Sequence, residues 1–331
     1  MQEIPDAERQ KDNPDYVFSD INKVFENLHK VGWSQISTLA YAGPCFQILQ
    51  ITEDWGAYFP MPMSPLYRGQ RHYYDPCKPS IYRRQWTNES KLERLVQLED
   101  FKHILDVNPE VKGLKSANLY VNYDGLAQHY GIETDMLDLT NSPLVAAFFA
   151  TTEYDPLKDE YRPVEDCVSI GCIYFLSLGA HFNGFNNNTD GDIWPVGMEA
   201  LRRPSEQRGY TMRLKEGQDF NTISGDIMCF RFIQNKDWSY RIFAATGGGK
   251  LLFPYDPMTE KVKAMRKYRI YGLDSLQKVY DSQSPTTLTF EQTKKALEDA
   301  GCHFLPTTPF SYNKDELEYI NREYKRKFPN G

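Results

Sequence analysis

The chain has 331 residues, of which 40% are hydrophobic and 25% charged, so it can bury a substantial core and is not a disordered protein. Its formal net charge of −7 argues against broad, nonspecific binding to nucleic acid or to anionic membranes. Residues 1–16 are polar and lack the apolar core of a signal peptide, and no apolar run is long enough to span a bilayer. We therefore expect a cytoplasmic protein with no membrane contact.

The cysteines and histidines do not have the spacing of a metal site. None of the six cysteines forms a CxxC pair, and they do not recur with the six histidines at the intervals of zinc ligands. Cys167 and Cys172 fall within one predicted strand, at a spacing that places them on opposite faces. We expect free, buried thiols in a reducing compartment and no bound metal.

The first part of the chain alternates between helical and extended patterns. Apolar residues recur at helical spacing over residues 21–28, after a cap at Ser19 or Asp20. A strand is predicted over residues 46–51. Three prolines between positions 60 and 65 keep the next segment extended, and it leads into the short strand and turn Leu66–Gln70.

The middle of the chain contains the clearest local signals. Ser90 and Glu93 have the spacing of a capping box at the start of a helix. Residues 124–130 predict a short helix that Gly131 stops, and residues 136–140 predict a strand.

A second helix start follows directly. Ser142 is a capping side chain, and Pro143 occupies the first helical position. Residues 144–150 are apolar on all sides, which predicts a buried helix whose alanines allow close approach to a sheet. Further strands are predicted over residues 167–178, 209–214, 226–233 and 251–253.

The chain turns helical from about residue 256. Mixed strands and helices followed by a helical end predict an α+β fold, with a mixed or antiparallel sheet, packed helices and a C-terminal helical subdomain. The predicted parts are a flexible tail (1–16), an α+β domain (17–255) and a helical extension packed on it (256–331).

Several polar residues are candidates for chemistry. Arg68, at a strand end and followed by glycine, can present its guanidinium to a phosphate or carboxylate, or can form a structural ion pair. His129, near a helix end, can act as a base or ligand donor, or can be a structural residue.

Two further pairs of polar residues are candidates for chemistry. Asp138 and Thr140 share one face of a strand just before a helix N-terminus that favours anions, or they only cap that helix. Residues 203–210 are predicted to enter a strand, on which Glu206 and Gln207 lie on opposite faces, so at most one of them faces a given cleft. The alternative is an ordinary charged strand edge.

The same residues resemble a known family. The run Leu66–Gln70, followed by residues 78–83, looks like the opening of the FRG domain family, which is named for its Phe/Tyr-Arg-Gly signature. Residues 126–150 resemble its central motif, and residues 203–210 resemble its later Arg…Gln-x-Gly-aromatic element. The resemblance covers roughly residues 60–255. At one position, Asp135 stands where many members have Arg, so a ligand that this Arg binds would have to be bound differently here.

The order of elements is also similar to that of the ADP-ribosyltransferase fold, which implies NAD as the substrate. By this similarity Arg68 would hold the pyrophosphate, and Thr140 would help to seat the nicotinamide ribose. Glu206 would stabilise the positive charge of an oxocarbenium-like transition state. Gln207, which matches the family pattern, is a neutral amide and cannot act as the base that activates an acceptor. The implied nucleotide-binding residues are Arg68, Gln70, His129, Tyr130, Asp138 and Thr140, and the implied catalytic residues are Glu206 and Gln207.

Three functions stay open at this point. The first is an ADP-ribosyltransferase-like enzyme or NAD hydrolase with a nucleotide cleft, and with a protein or nucleic acid as acceptor in the case of transfer. The second is a noncatalytic nucleotide- or ligand-binding module. The third is a metal-assisted hydrolase or nuclease that uses Asp138, His129 and Glu206.

Overall fold

The computed structural model describes most of the chain, with gaps. The described residues are 16–30, 45–50, 56–61, 65–116, 118–176, 193–196, 201–223, 227–283 and 288–327. The predicted tail lies outside these ranges except for Tyr16. No helix among the described residues is both long enough and apolar enough to cross a membrane.

Thirteen strands lie in these ranges, seven of them in one mixed sheet and six in three two-stranded ladders. They are β1 (Val17–Phe18), β2 (Cys45–Gln50), β3 (Gly56–Met61), β4 (Leu66–Gln70), β5 (Met136–Thr140), β6 (Thr152–Asp155), β7 (Glu160–Pro163), β8 (Ile170–Leu176), β9 (Ile193–Pro195), β10 (Gly209–Arg213), β11 (Ile227–Ile233), β12 (Ile270–Gly272) and β13 (His303–Leu305).

Eleven α-helices accompany them. They are α1 (Ile21–Lys30), α2 (Asn88–Asp106), α3 (Pro109–Ser116), α4 (Tyr123–His129), α5 (Pro143–Thr151), α6 (Arg202–Glu206), α7 (Lys236–Ala245), α8 (Pro257–Tyr268), α9 (Leu273–Ser282), α10 (Phe290–Asp299) and α11 (Lys314–Lys327). This content confirms the predicted α+β class.

The main sheet has the strand order β1-β11-β8-β4-β5-β10-β9. Its pairs are antiparallel except for the parallel pair β1 and β11. Side chains alternate between its two faces, so Tyr174 and Phe175 on β8 belong to different buried clusters. Strands β4 and β5 are neighbours in the interior of this sheet, so their polar residues lie away from its edges.

Helix α5 packs directly on β4, as its alanine content predicts. Ser142 caps the helix through its hydroxyl, which accepts from the Val145 backbone N–H at 3.4 Å, and Pro143 begins it. Gly69 makes the close approach possible, because a Cβ atom at this position would lie 1.7 Å from the Ala146 carbonyl oxygen. The glycine after Arg68 therefore serves the packing of the helix on the sheet.

The helices after residue 256 share one hydrophobic core with α2 and α4. Phe101 and Leu105 on α2 belong to the same buried cluster as Met265, Leu276 and Leu297. A boundary at residue 256 stays a prediction, but the later helices bury their apolar faces against an element from the first half of the chain.

Two of the predicted boundaries were wrong. Strand β8 begins at Ile170 rather than 167, because the Asp166 carboxylate accepts from the backbone N–H groups of Val168 and Ser169 and turns the chain first. Cys167 therefore precedes the strand and is exposed, which contradicts its expected burial. Helix α2 begins after Thr87, whose hydroxyl accepts from the Ser90 N–H, so Ser90 lies inside the helix.

The strand predicted over residues 251–253 is absent from the described structure. Gly247, Gly248 and Gly249 all have positive φ, and the backbone N–H groups of Leu252 and Phe253 donate back to Gly249. A run of left-handed residues winds the chain into successive turns, so it cannot extend. The segment 247–253 is hereafter the glycine turn.

Glu93 joins α2 to the C-terminal part of the chain. Its carboxylate accepts from Arg269 Nε and Nη2 at 2.8 and 2.7 Å and from the Tyr271 hydroxyl at 2.8 Å. Burial alone would raise the pKa of Glu93, but hydrogen bonds from Arg269 and Tyr271 outweigh it and hold the pKa below its usual range.

We expect Glu93→Gln to lower the free energy of unfolding by about 2 kcal/mol at neutral pH, because a half-buried charge-assisted network is broken. Because the pKa of Glu93 is lower in the folded state than its ordinary value of 4.5, its ionised carboxylate stabilises the fold at any pH above 4.5. This stabilisation is lost as the pH falls through the folded-state pKa. The difference should therefore shrink as the pH falls below 4.5, as measured by urea denaturation. Glu298→Gln, at an exposed helix pair with Lys294, is the control and should change little. Equal stability of Glu93→Gln and wild type at neutral pH would contradict this account.

Candidate functional site

A cavity opens in the main sheet where β4 and β5 diverge. These neighbouring strands share a single residue pair, Tyr67 with Thr140, whereas β4 pairs with β8 and β5 pairs with β10 over five residue pairs each. The resulting space is about 260 Å³ in volume. Its lining consists of Tyr67, Arg68, Gly69, His129, Asp138, Leu139, Thr140, Val145, Ala146, Phe149, Tyr161 and Gln207.

Arg68 extends from β4 across the gap between the two strands. Its Nη1 donates to the backbone carbonyl oxygen of Asp138 at 2.7 Å, which takes the place of a missing ladder bond. Its Nε is buried and has no hydrogen-bond partner among the described residues. Arg68 also forms no ion pair with a described carboxylate, so its charge remains available to a ligand.

His129 is held in one orientation by Gln207. The Gln207 Nε2 donates to the Leu252 carbonyl oxygen at 3.1 Å, so its Oε1 must face the His129 Nδ1 at 3.0 Å. Because an amide oxygen only accepts, His129 carries a proton on Nδ1 and donates it to Gln207. In the neutral ring Nε2 is then the nitrogen with the free lone pair.

That free nitrogen faces Asp138. The His129 Nε2 and the Asp138 Oδ1 lie 3.6 Å apart, and neither atom has a hydrogen-bond partner among the described residues. The histidine side chain is 4% exposed and that of Asp138 is 40% exposed, so the pair lies where the cavity meets solvent. Two acceptors at this distance can be bridged by one water, which donates one hydrogen bond to each of them.

Thr140 lines the cavity but uses its hydroxyl within the fold. Its Oγ1 donates to the Gln207 backbone carbonyl at 2.8 Å and accepts from the Ser142 backbone N–H at 3.0 Å. It therefore joins β5, the start of α5 and the end of α6. Its contribution to the site is to position Gln207, and through it His129.

An aromatic wall faces the polar groups. Phe149 and Tyr161 line the cavity, and Tyr161 stacks on Phe253 with ring centroids 4.8 Å apart. Arg203 in turn lies over the Phe253 ring at 4.8 Å. Burial raises the pKa of Tyr161 to about 12, so its hydroxyl stays protonated at neutral pH. Such a wall suits a planar ring.

Three of the residues that were predicted for the site lie elsewhere. Gln70 is buried at the end of β4, and its Oε1 accepts from the thiols of Cys77 and Cys172 at 3.7 and 3.8 Å. Tyr130 is buried and donates its hydroxyl to Asp256. Glu206 is exposed and does not line the cavity.

The local structure around Glu206 and Gln207 also differs from the predicted strand. Residues 202–206 form the short helix α6, in which Pro204 fits the first turn because no backbone N–H is needed there. Gln207 ends this helix, and Arg208 adopts a positive φ that turns the chain into β10. Of the two residues, Gln207 lines the cavity and Glu206 does not, and the end of a helix separates them rather than the predicted alternation of a strand.

Asp135 lies outside the cavity. Its carboxylate pairs with Arg213, which also binds Asp124 at 2.8 Å. The position at which this chain differs from many FRG domains therefore lies in a surface ion pair and not in the lining of the cavity.

Several groups at the site were not predicted from the sequence. Phe149 and Tyr161 were missed as lining residues, and Leu252 contributes only its backbone carbonyl. Aromatic side chains in an apolar helix and a short strand give no distinctive spacing, and a backbone acceptor has no sequence signal at all. Among the described residues, the group with metal-ligand geometry is Asp100, His103 and Asp274, and none of the three lines the cavity.

Comparison with known families and structures supports one assignment. Residues 64–159 match the model of the FRG domain family. This segment runs from the start of β4 to just before β7 and contains every lining residue of the cavity except Tyr161 and Gln207. No curated protein and no solved structure matches the chain. The similarity to the ADP-ribosyltransferase fold therefore stays a prediction from the sequence.

Proposed function

We propose that the chain, of which residues 64–159 match the FRG domain family, binds NAD in this cavity and hydrolyses its nicotinamide–ribose bond. The observation that supports this most directly is the pair of His129 Nε2 and Asp138 Oδ1, two facing acceptors with no partner in the described structure. Buried polar atoms without partners are costly, so a ligand or water that supplies donors is favoured there.

The lining suits the nicotinamide riboside end of the dinucleotide. Phe149 and Tyr161 offer faces for the planar nicotinamide ring, and Asp138 lies where the ribose would follow. Ligand pockets are commonly about 300–1,000 Å³, so a cavity of about 260 Å³ takes one end of NAD and leaves the rest outside. The Arg68 guanidinium then lies on the side that the phosphates approach.

Asp138 would stabilise the transition state. When the bond between C1′ of the ribose and N1 of nicotinamide breaks, the electron pair leaves with nicotinamide and positive charge develops on the ribose. A carboxylate near that carbon lowers the energy of the charge. Among the residues lining the cavity, Asp138 is the acidic one, whereas Glu206 lies outside.

His129 would complete the reaction with water. A water between His129 Nε2 and Asp138 Oδ1 gives its proton to Nε2 as its oxygen attacks C1′. The products are nicotinamide, ADP-ribose and the released proton. Hydrolysis is favoured over transfer to a protein or nucleic acid, because Gln207 is a neutral amide engaged on both sides and offers no second base.

The test is to incubate the purified chain with NAD and measure free nicotinamide and ADP-ribose by chromatography. We expect equal amounts of both products. Arg68→Ala should weaken NAD binding about a hundredfold, because a charge-assisted contact is lost. Arg71→Ala is the matched control, since Arg71 pairs with Glu153 at 2.6 Å and does not line the cavity. NAD binding unchanged in Arg68→Ala would mean that the site is assigned wrongly.

A noncatalytic ligand-binding module is the second candidate. The engaged amide of Gln207 and the internally bonded hydroxyl of Thr140 favour it, since neither group is free to take part in a reaction. NAD binding that depends on Arg68, with no release of nicotinamide, would support this candidate and contradict the hydrolase.

A further inference from the structure

Three residues with a hydroxyl line the cavity, and they differ in what their oxygen atoms can reach. Thr140 uses its hydroxyl within the fold, where it donates to the Gln207 carbonyl at 2.8 Å. The Tyr67 oxygen is enclosed by protein. The Tyr161 oxygen keeps contact with solvent and forms no hydrogen bond with a described residue. Tyr161 is therefore the one of the three whose hydroxyl a ligand in the cavity can reach.

The ring of Tyr161 is held by four aromatic neighbours. Phe253 stacks on it, with the two planes 19° apart and the centroids 4.8 Å apart. The ring centroids of Phe148 and Tyr154 each lie 5.2 Å away, and that of Phe149 lies 5.9 Å away. A ring that is packed in this way cannot redirect its hydroxyl without displacing its neighbours. The hydroxyl is thus held in place before a ligand arrives.

The Tyr161 hydroxyl is a neutral donor at physiological pH. Burial raises the pKa of Tyr161 to about 12, although the positive charge of Arg203 acts in the opposite direction. The phenol therefore keeps its proton and can donate it to an acceptor such as a carbonyl oxygen. Across the cavity, the free atoms of His129 and Asp138 are both acceptors. The aromatic wall thus supplies a kind of group that this polar pair lacks.

The angle between Phe149 and Tyr161 determines how a planar ligand meets the wall. Their planes are 76° apart, so a ring that stacks on one presents its edge to the other. Phe253 already covers one face of Tyr161, which favours stacking on Phe149. A substituent on the edge of the ligand ring then meets Tyr161. In nicotinamide that substituent is the carboxamide, whose oxygen is an acceptor.

We propose that the Tyr161 hydroxyl selects nicotinamide by donating a hydrogen bond to its carboxamide oxygen. This inference rests on the proposed function, because the nicotinamide is that of the NAD whose riboside end enters the cavity. It makes Tyr161 a specificity-determining residue, which distinguishes a pyridine that carries a carboxamide from one that has no acceptor on its edge. A ligand without the carbonyl leaves the hydroxyl without a partner and loses that contribution to binding.

Ligand-observed NMR titration of nicotinamide and of 3-methylpyridine into the full chain tests this selection. Both ligands have a pyridine ring with one substituent at the same position, but only nicotinamide carries a carbonyl. Wild type should bind nicotinamide about tenfold more tightly, as expected for about one hydrogen bond. Tyr161→Phe keeps the ring and removes the donor, so it should lose most of this preference by weakening nicotinamide binding alone.

Tyr154→Phe is the matched control. Its ring packs against that of Tyr161, but its hydroxyl donates to Asp159 at 2.5 Å and the residue does not line the cavity. The preference for nicotinamide should therefore persist in Tyr154→Phe. An unchanged preference in Tyr161→Phe, an equal loss in both variants, or no preference in wild type overturns the proposal.

Cleavage of NAD separates failure of this selection from failure of the proposed function. If nicotinamide is preferred through Tyr161 while NAD is neither bound nor cleaved, the selection stands and the NAD assignment fails. If NAD is cleaved but wild type shows no preference for nicotinamide, or Tyr161→Phe retains it, the selection is wrong and the hydrolase stands.

Discussion

Replacing Asp138 by asparagine is expected to lower the rate of nicotinamide release about a thousandfold, because a neutral amide cannot stabilise an oxocarbenium-like charge as a carboxylate does. The substitution keeps the shape of the side chain. Its Oδ1 makes no hydrogen bond in the described structure and 40% of the side chain is exposed, so the fold should be unaffected. The readouts are initial rates of NAD cleavage and the melting temperature.

Glu206→Gln is the informative companion variant. The ADP-ribosyltransferase similarity assigns the catalytic charge to Glu206, whereas the geometry of the cavity assigns it to Asp138. Since Glu206 is exposed and does not line the cavity, its replacement should leave the rate within about twofold of wild type. A large loss in Glu206→Gln together with full activity in Asp138→Asn would reverse the assignment.

Gly69→Ala is expected to destabilise the chain by at least about 3 kcal/mol, which is an overpacking effect at the upper end of the usual range. The new Cβ would lie 1.7 Å from the Ala146 carbonyl oxygen, and backbone on both sides leaves no flexible side chain to move. Helix α5 would have to lift from β4. A fall in melting temperature of about 4 °C or more would be measured by calorimetry.

Gly113→Ala controls for the change in glycine content. Gly113 lies within helix α3, and a Cβ there would meet no atom within 4 Å. Alanine should therefore stabilise the chain by up to about 1 kcal/mol through helix propensity. If Gly69→Ala were as stable as wild type, the close packing of α5 on the sheet would be refuted.

Local sequence signals predicted those elements of the site whose boundaries are set by neighbouring residues. The strand of Asp138 and Thr140, with the Ser142–Pro143 helix start behind it, was correct because capping and alternation act over a few residues. The strand of Arg68 was correct for the same reason, because prolines before it and glycine after it limit the backbone.

Contacts between distant segments were not predictable in the same way. The bonds of Gln207 to His129 and to Leu252 span 78 and 45 residues, and the second depends on residues 251–253, which were predicted as a strand. Apolar residues that follow three glycines are compatible with either a strand or a turn. The positive φ values of the glycines, which the sequence does not show, distinguish the two. Gln70 and Tyr130 were placed at the site because of the resemblance to a family motif, which does not tell a ligand contact from a core contact.

Because Gln207 is hydrogen-bonded to the Leu252 carbonyl, the tautomer of His129 depends on the backbone conformation of the glycine turn. The amide of Gln207 can direct either its oxygen or its NH₂ group toward the imidazole ring. The Leu252 carbonyl accepts a hydrogen bond from the NH₂ group and so leaves the oxygen facing the ring. A change in the glycine turn that withdraws this carbonyl frees the amide to rotate by half a turn. Its NH₂ group would then face Nδ1, the ring proton would move to Nε2, and the nitrogen beside Asp138 would change from proton acceptor to proton donor.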